Sequence, residues 1–192
     1  MNTTPTTELE AVNEMLGTIG ESPVMTIEDN GVVDASIAYQ ILTSVSRAIQ
    51  STGWHFNTEL AMEISPAFPS KNLVLPNNIL RVDTVESDAD VDLVQRGLRL
   101  YNRVDHTYEF TRPYCVEMVL MLNFTELPEA ARYYVTIRAA RVFQERTVGS
   151  STLTGFTEKD EMWAKIGLQD ADGDTKDANI LKTSSAQLIL ER

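Results

Sequence analysis

The sequence predicts an α+β protein: a four-helix bundle with a small antiparallel β lobe inserted between helices 2 and 3, followed by an extended C-terminal tail. Three observations lead there. Apolar residues recur at helical spacing towards both ends of the 192-residue chain, and the period drops to two between Trp54 and about Asn123. Pro66, Pro69, Pro76 and Pro113 fall between the alternating runs, where strands should break. The corresponding division is 1–53 and 126–180 for the bundle, 54–125 for the β lobe and 181–192 for the tail.

Thr7 with Glu10 three residues later forms a capping-box pattern, and Leu9, Val12, Leu16 and Ile19 then repeat until Gly20, which predicts a first helix over about 7 to 19. ESPVMTIEDNG reads as a loop, because Pro23 disfavours helix at Ser22 and Asn30-Gly31 supplies a turn. A second helix opens at Asp34 and places Ile37, Ile41, Val45, Ala48 and Ile49 on one face, with Gly53 as the left-handed residue that stops it.

The stretch IQSTGWHFNTE then changes period. Trp54 and Phe56 alternate with polar residues in step with Leu60, Met62 and Ile64, so a core anchor is a better reading of the two rings than a platform for stacking bases. Gly53, Trp54 and Phe56 are therefore the candidate anchor between bundle and β lobe. Leu98 and Leu100, then Tyr108 and Phe110, flank a turn at Arg103 to His106. ILRVDTV follows Asn77-Asn78, and CVEMVLMLNF is apolar enough to be a buried strand.

Pro128 stands where a first helical residue should be, and the segment from there to Gly149 is apolar in almost every direction, as suits a central helix. A fourth helix is expected from Thr157, with Asp160 three residues on and Met162, Trp163 and Ile166 packed inward. QDADGDTKDANIL is weakly helical, and KTSSAQLILER reads as a tail with an apolar tip at Leu188, Ile189 and Leu190.

Chemistry is sparse. A chain of this length buries about 70% of its unfolded surface and needs no covalent staple, in keeping with a single cysteine, Cys115. Cys115 sits in an apolar strand-like run, the setting of an inert thiol. The net charge of −12 argues against a protein that grips nucleic acid, though not against one that lets DNA pass. No apolar run approaches the roughly 20 residues of a membrane helix, and MNTTPTTELE lacks the regions of a signal peptide, so a soluble, unsecreted chain is expected.

Asp170, Asp172 and Asp174 imitate a calcium loop, but the glycine stands fourth and the closing glutamate is missing, which leaves a solvated acidic surface. His55 and His106 have no partners at ligand spacing. Arg132, Arg138, Arg141 and Arg146 point to different sides of their helix, which suits ion pairs with nearby acids better than a basic stripe. No nucleophile elbow, phosphate loop or zinc-protease motif occurs, and neither a catalytic site nor a cofactor nor a metal is expected.

Taken in order, several stretches resemble one family. Asn13-x-x-Leu16 leads into Ile19-Gly20-Glu21-x-Pro23-Val24, then comes Ile49-Gln50-Ser51-x-Gly53-Trp54-x-Phe56-Asn57. Later come Leu127-Pro128-Glu129 with Arg132-Tyr133, Arg141-x-Phe143, Arg146, Gly149 and Asn179-Ile180-Leu181. This set is similar to tail tubular protein A, the head-to-tail adaptor of short-tailed, podovirus-type bacteriophages. The resemblance covers most of the chain and is thinnest from about 60 to 125.

It implies a non-enzymatic virion protein of the phage tail, assembled in the host cytoplasm. Copies would form a dodecameric ring between the portal and a nozzle of the tail tubular protein B type. Double-stranded DNA would pass through the ring without specific binding, and no membrane is involved. An acidic inner wall would repel phosphate, the tip Leu188, Ile189 and Leu190 would contact the portal, and the β lobe would face the nozzle. The alternative is a tail-associated polysaccharide hydrolase. It would need two carboxylates about 5 to 10 Å apart beside aromatics, for which Asp105 and Glu109 near Tyr108 are the candidates.

Overall fold

The computed structural model describes residues 4–27, 33–85, 91–149 and 151–176, the side chains of 151–157 excepted. Among the described residues four α-helices and two small antiparallel sheets make an α+β protein, and the strands fall between the second and third α-helices along the chain.

α1 spans Glu8–Thr18 and is started by the predicted box. Thr7 Oγ1 accepts the Glu10 N–H at 3.2 Å, and Glu10 Oε2 accepts the Thr7 N–H at 2.8 Å, so two amides that the helix cannot satisfy find partners. α2 spans Val33–Gln50 and buries Ala38, Ile41, Leu42, Val45 and Ile49. α3 spans Glu129–Thr147, with Pro128 as its N-cap rather than its first turn. Tyr134, Val135, Ala139 and Phe143 of α3 join residues of α1 and α2 in one apolar cluster, to which Ala164 and Leu168 of the last helix also belong.

That last helix, α4, spans Ser151–Thr175. It begins six residues before the expected Thr157 and runs straight through the acidic stretch. Its facing also differs from expectation. Met162, Trp163 and Ile166 point outward, with Trp163 66% exposed, while Glu161, Ala164, Leu168 and Asp172 are buried. The cause is polar. Arg138 Nη1 donates to Glu161 Oε1 at 2.9 Å and Arg141 Nε donates to Glu161 Oε2, so two cations of α3 draw this acid inward. Burial works against the charge on Arg141, but the bonds and charges of Glu161 and Glu145 outweigh it and hold the pKa above the ordinary arginine value. The ion pairing expected of the arginines thus occurs at Arg138 and Arg141.

β1 (Thr58–Ile64) and β2 (Ile79–Thr84) flank β5 (Tyr114–Leu120) in a three-stranded antiparallel sheet, while β3 (Leu93–Arg96) and β4 (Arg99–Asn102) form a hairpin. β5 alternates as a central strand should: Tyr114, Val116 and Met118 join Leu73, Leu75, Leu93, Leu100 and Phe110 in a second apolar cluster. The alternation expected of β1 fails. Its pairing with β5 slips by one residue between Glu59 and Met62, Ala61 takes φ 52°, and Leu60 and Met62 end up 69% and 42% exposed. A bulge inserts one residue and turns the following side chains to the other face, which a two-residue period cannot anticipate.

Candidate functional site

The stretch from Gln50 to Thr58 is where the helical cluster meets the three-stranded sheet, and its side chains replace backbone partners. Gln50, the last residue of α2, is 0% exposed. Its Oε1 accepts the Leu122 N–H at 2.8 Å and its Nε2 donates to Leu122 O at 3.1 Å, so the amide pairs with a peptide unit just past β5 as another strand would. Nε2 also donates to Ser46 Oγ at 3.0 Å. Such an amide costs little to bury, because both of its ends are satisfied.

Asn57 repeats the device seven residues on. Its Nδ2 donates to Gln50 O at 2.9 Å and to Leu120 O at 2.8 Å, and its Oδ1 accepts the Trp54 N–H at 2.9 Å. The 3-10 turn His55–Asn57 is thereby fastened to the ends of both α2 and β5.

The chain can turn this sharply because Gly53 adopts φ +85°. A Cβ there would come within 2.8 Å of Arg81 Nη2 and 3.1 Å of Val119 Cγ2, so the backbone lies directly against the sheet. Trp54 and Phe56 are half-buried and pack against the helical cluster, and Trp54 Nε1 donates to Ile49 O at 2.8 Å. The His55 N–H donates to Asp172 Oδ1 at 2.7 Å, and Asp172 is held from its other side by Lys176 at 2.8 Å. The acidic stretch was expected to be solvated, yet its central residue is buried and ties α4 to the turn. Among the described residues no three acids, histidines or cysteines gather as a metal site requires.

An open cleft of about 530 Å³ runs beside the turn, bordered by Trp54, His55, Leu60, Arg81 and Glu117. Arg81 and Glu117 stand 3.8 Å apart on the surface, and among the described residues no hydrogen bond links either to His55. Of the residues proposed for a hydrolase, Asp105 accepts from Asn102 Nδ2 at 2.9 Å inside a turn, and the Glu109 N–H is bound by Thr107 Oγ1 at 3.0 Å. The Asp105 carboxylate thus braces its own turn, while the Glu109 bond is made by its backbone. Leu188, Ile189 and Leu190 lie outside the described residues.

The other stretches singled out in the sequence use the same device. Asn13 brackets Val24, donating to its carbonyl at 3.0 Å and accepting its N–H at 2.7 Å, which closes the loop after Gly20 onto α1. Arg132 donates to the carbonyls of Leu127, Thr6 and Thr125 at 2.8, 2.9 and 2.5 Å, and the Thr6 N–H donates to Glu129 Oε2 at 3.0 Å. This one arginine ties the N-terminal segment to the entrance of α3.

Sequence reasoning marked Gly53, Trp54 and Phe56 and missed Gln50 and Asn57 as the polar clasp beneath them. A signal existed for the first. Gln50 lies one and two turns beyond Ser46 and Leu42, on the buried face of α2.

Comparison with known proteins fits this pattern of structural rather than chemical residues. The chain is 29% identical over 164 residues to "Tail tubular protein A" of Klebsiella phage KP34, covering 85% of this chain and 86% of that protein. Residues 9–178 match the family described as tail tubular protein. The matched span takes in all but the first residue of α1, the junction and the whole of α4, and the chain belongs to the tail tubular protein family, structural components of the bacteriophage tail.

Proposed function

We propose that this chain is the head-to-tail adaptor of its phage, a ring subunit that joins the portal to the tail nozzle and lines the path of the DNA. The observation that carries the reading is the clasp at Gln50, Asn57 and Gly53, which joins two apolar cores through side-chain bonds to backbone groups, from the fully buried Gln50 and Asn57 to the half-buried peptides at Leu120 and Leu122. Two bodies, the helices with 1–53 and 126–180 and the strands with 54–125, would then offer contact surfaces at a set angle. Gly53, Trp54 and Phe56 act as the hinge pin that keeps the angle.

The strand side has apolar surface to offer a nozzle: Leu60 and Met62 on β1, and Phe68, which is 99% exposed. The portal side is assigned to the C-terminal segment with Leu188, Ile189 and Leu190. The net charge of −12 supports an acidic channel wall from which duplex DNA slides freely.

Electron microscopy of the purified chain mixed with its portal tests the reading. A ring seated on the outer end of the portal, with twelve copies around an acidic bore, is expected. A chain that does not join the portal, or a ring whose bore is basic, contradicts it. Deleting residues 183–192 should leave a folded chain that no longer joins heads, and normal assembly by the truncated chain would remove the portal role of the tail.

A further inference from the structure

The β3–β4 hairpin carries an arrangement that neither core requires. Arg96 and Arg99 are direct cross-strand partners, so two like charges face each other at the tip, next to Gly97 with φ +62°. Such a pair is unfavourable in a free hairpin. Each guanidinium is instead laid on a ring, Arg96 3.7 Å from the centroid of Tyr101 and Arg99 4.7 Å from that of Tyr108, and the two rings touch at 4.8 Å. Among the described residues no carboxylate lies within ion-pair distance of Arg96 or Arg99. Both arginines are exposed, and a guanidinium stacked by its face keeps its in-plane N–H donors free for carboxylates.

A matching surface exists on the same molecule. Along the outer side of α4, Asp160, Trp163, Gly167, Asp170 and Asp174 recur at steps of three and four and share one exposed stripe. None of these three aspartates has an ion-pair partner among the described residues. Asp170 and Asp174 are one turn apart, about 5 to 6 Å, which is the spacing of two directly opposed strand residues at about 5 Å. Nothing lies within 4 Å of a Cβ built on Gly167, so the stripe has a dip at its centre beside the exposed Trp163.

We propose that the Arg96–Arg99 tip of one copy docks on the Asp160–Asp174 stripe of α4 in a second copy. The inference rests on the ring reading above, because a head-to-tail ring needs two different and complementary patches on every subunit. Duplex DNA is the weaker occupant. Two guanidiniums would neutralise only about two phosphates, and one face of each tyrosine is already covered by an arginine.

Sedimentation velocity over a concentration series at low ionic strength tests this with wild type, Arg96→Glu with Arg99→Glu, Asp170→Arg with Asp174→Arg, and an equimolar mixture of the two reversed chains. Wild type should self-associate and lose that association as salt rises. Either reversal alone should weaken it about tenfold or more. The mixture should restore it, because each reversed chain then presents the complement of the other at both patches. A wild type that stays monomeric throughout, association indifferent to either reversal, or a mixture that fails to recover would each overturn the interface. So would an arginine reversal that weakens binding to a short DNA duplex and leaves self-association unchanged. If association survives the reversals, the ring reading stands on another surface; that reading fails only in the portal imaging.

Discussion

The junction and the hairpin tip treat polar side chains in opposite ways. At the junction, both ends of the Gln50 and Asn57 amides meet backbone groups inside the protein. At the tip, Arg96 and Arg99 lie over the faces of tyrosines, are exposed, and have no ion-pair partner among the described residues. The first arrangement is satisfied within one chain and so gives shape. The second leaves hydrogen-bonding capacity that another molecule can complete.

If that contrast is sound, removing a junction group should cost stability, and removing a tip group should cost only association. The largest loss is expected for Gln50→Leu, which leaves the half-buried Leu122 N–H and carbonyl without their side-chain partner. It should lower the unfolding free energy by about 3 kcal/mol, read from urea denaturation as a lower midpoint with an unchanged slope. Trp54→Ala should cost about 2 to 3 kcal/mol, below the range of a fully buried tryptophan because the ring is half-buried.

Glu161→Ala leaves Arg138 and Arg141 facing each other without their shared acid and should cost about 2 kcal/mol, with both arginines partly in water. Gly53→Ala should cost about 1 to 2 kcal/mol, since alanine must hold a left-handed φ and push against Val119. Smallest of all, Arg96→Glu with Arg99→Glu should shift thermal unfolding by no more than about 1 kcal/mol: two ring contacts go, and one like-charge pair is replaced by another.

The parts of the fold that could be read from sequence are those set by local rules. Thr7 and Glu10 announce α1 because a capping box acts within four residues, and Gly53 announces the end of α2 because only a left-handed residue makes that turn. A fourth helix was legible, but its start and its buried face were not, because tertiary contacts set them. Asp172 stabilises helix by binding His55 N–H far away in sequence, and Glu161 rotates the buried face towards Arg138 and Arg141. β3 escaped because four residues are too short for a period to declare itself. In β1 the bulge at Ala61 broke a pattern that was otherwise present.

The candidate junction was half legible. Its aromatic residues stand out by size, whereas Gln50 and Asn57 matter through peptide groups at Leu120 and Leu122 that only the folded chain brings near.

Hydrogen exchange at the Leu122 amide tests the central claim most directly, because this N–H is held by the Gln50 side chain and by no backbone ladder. If the clasp fixes helices and strands as one body, the amide should exchange only through global unfolding, as slowly as the central amides of α3 and with the same dependence on urea. Exchange orders of magnitude faster than α3, with little dependence on urea, would mean that the two parts open locally and that the angle between them is not held.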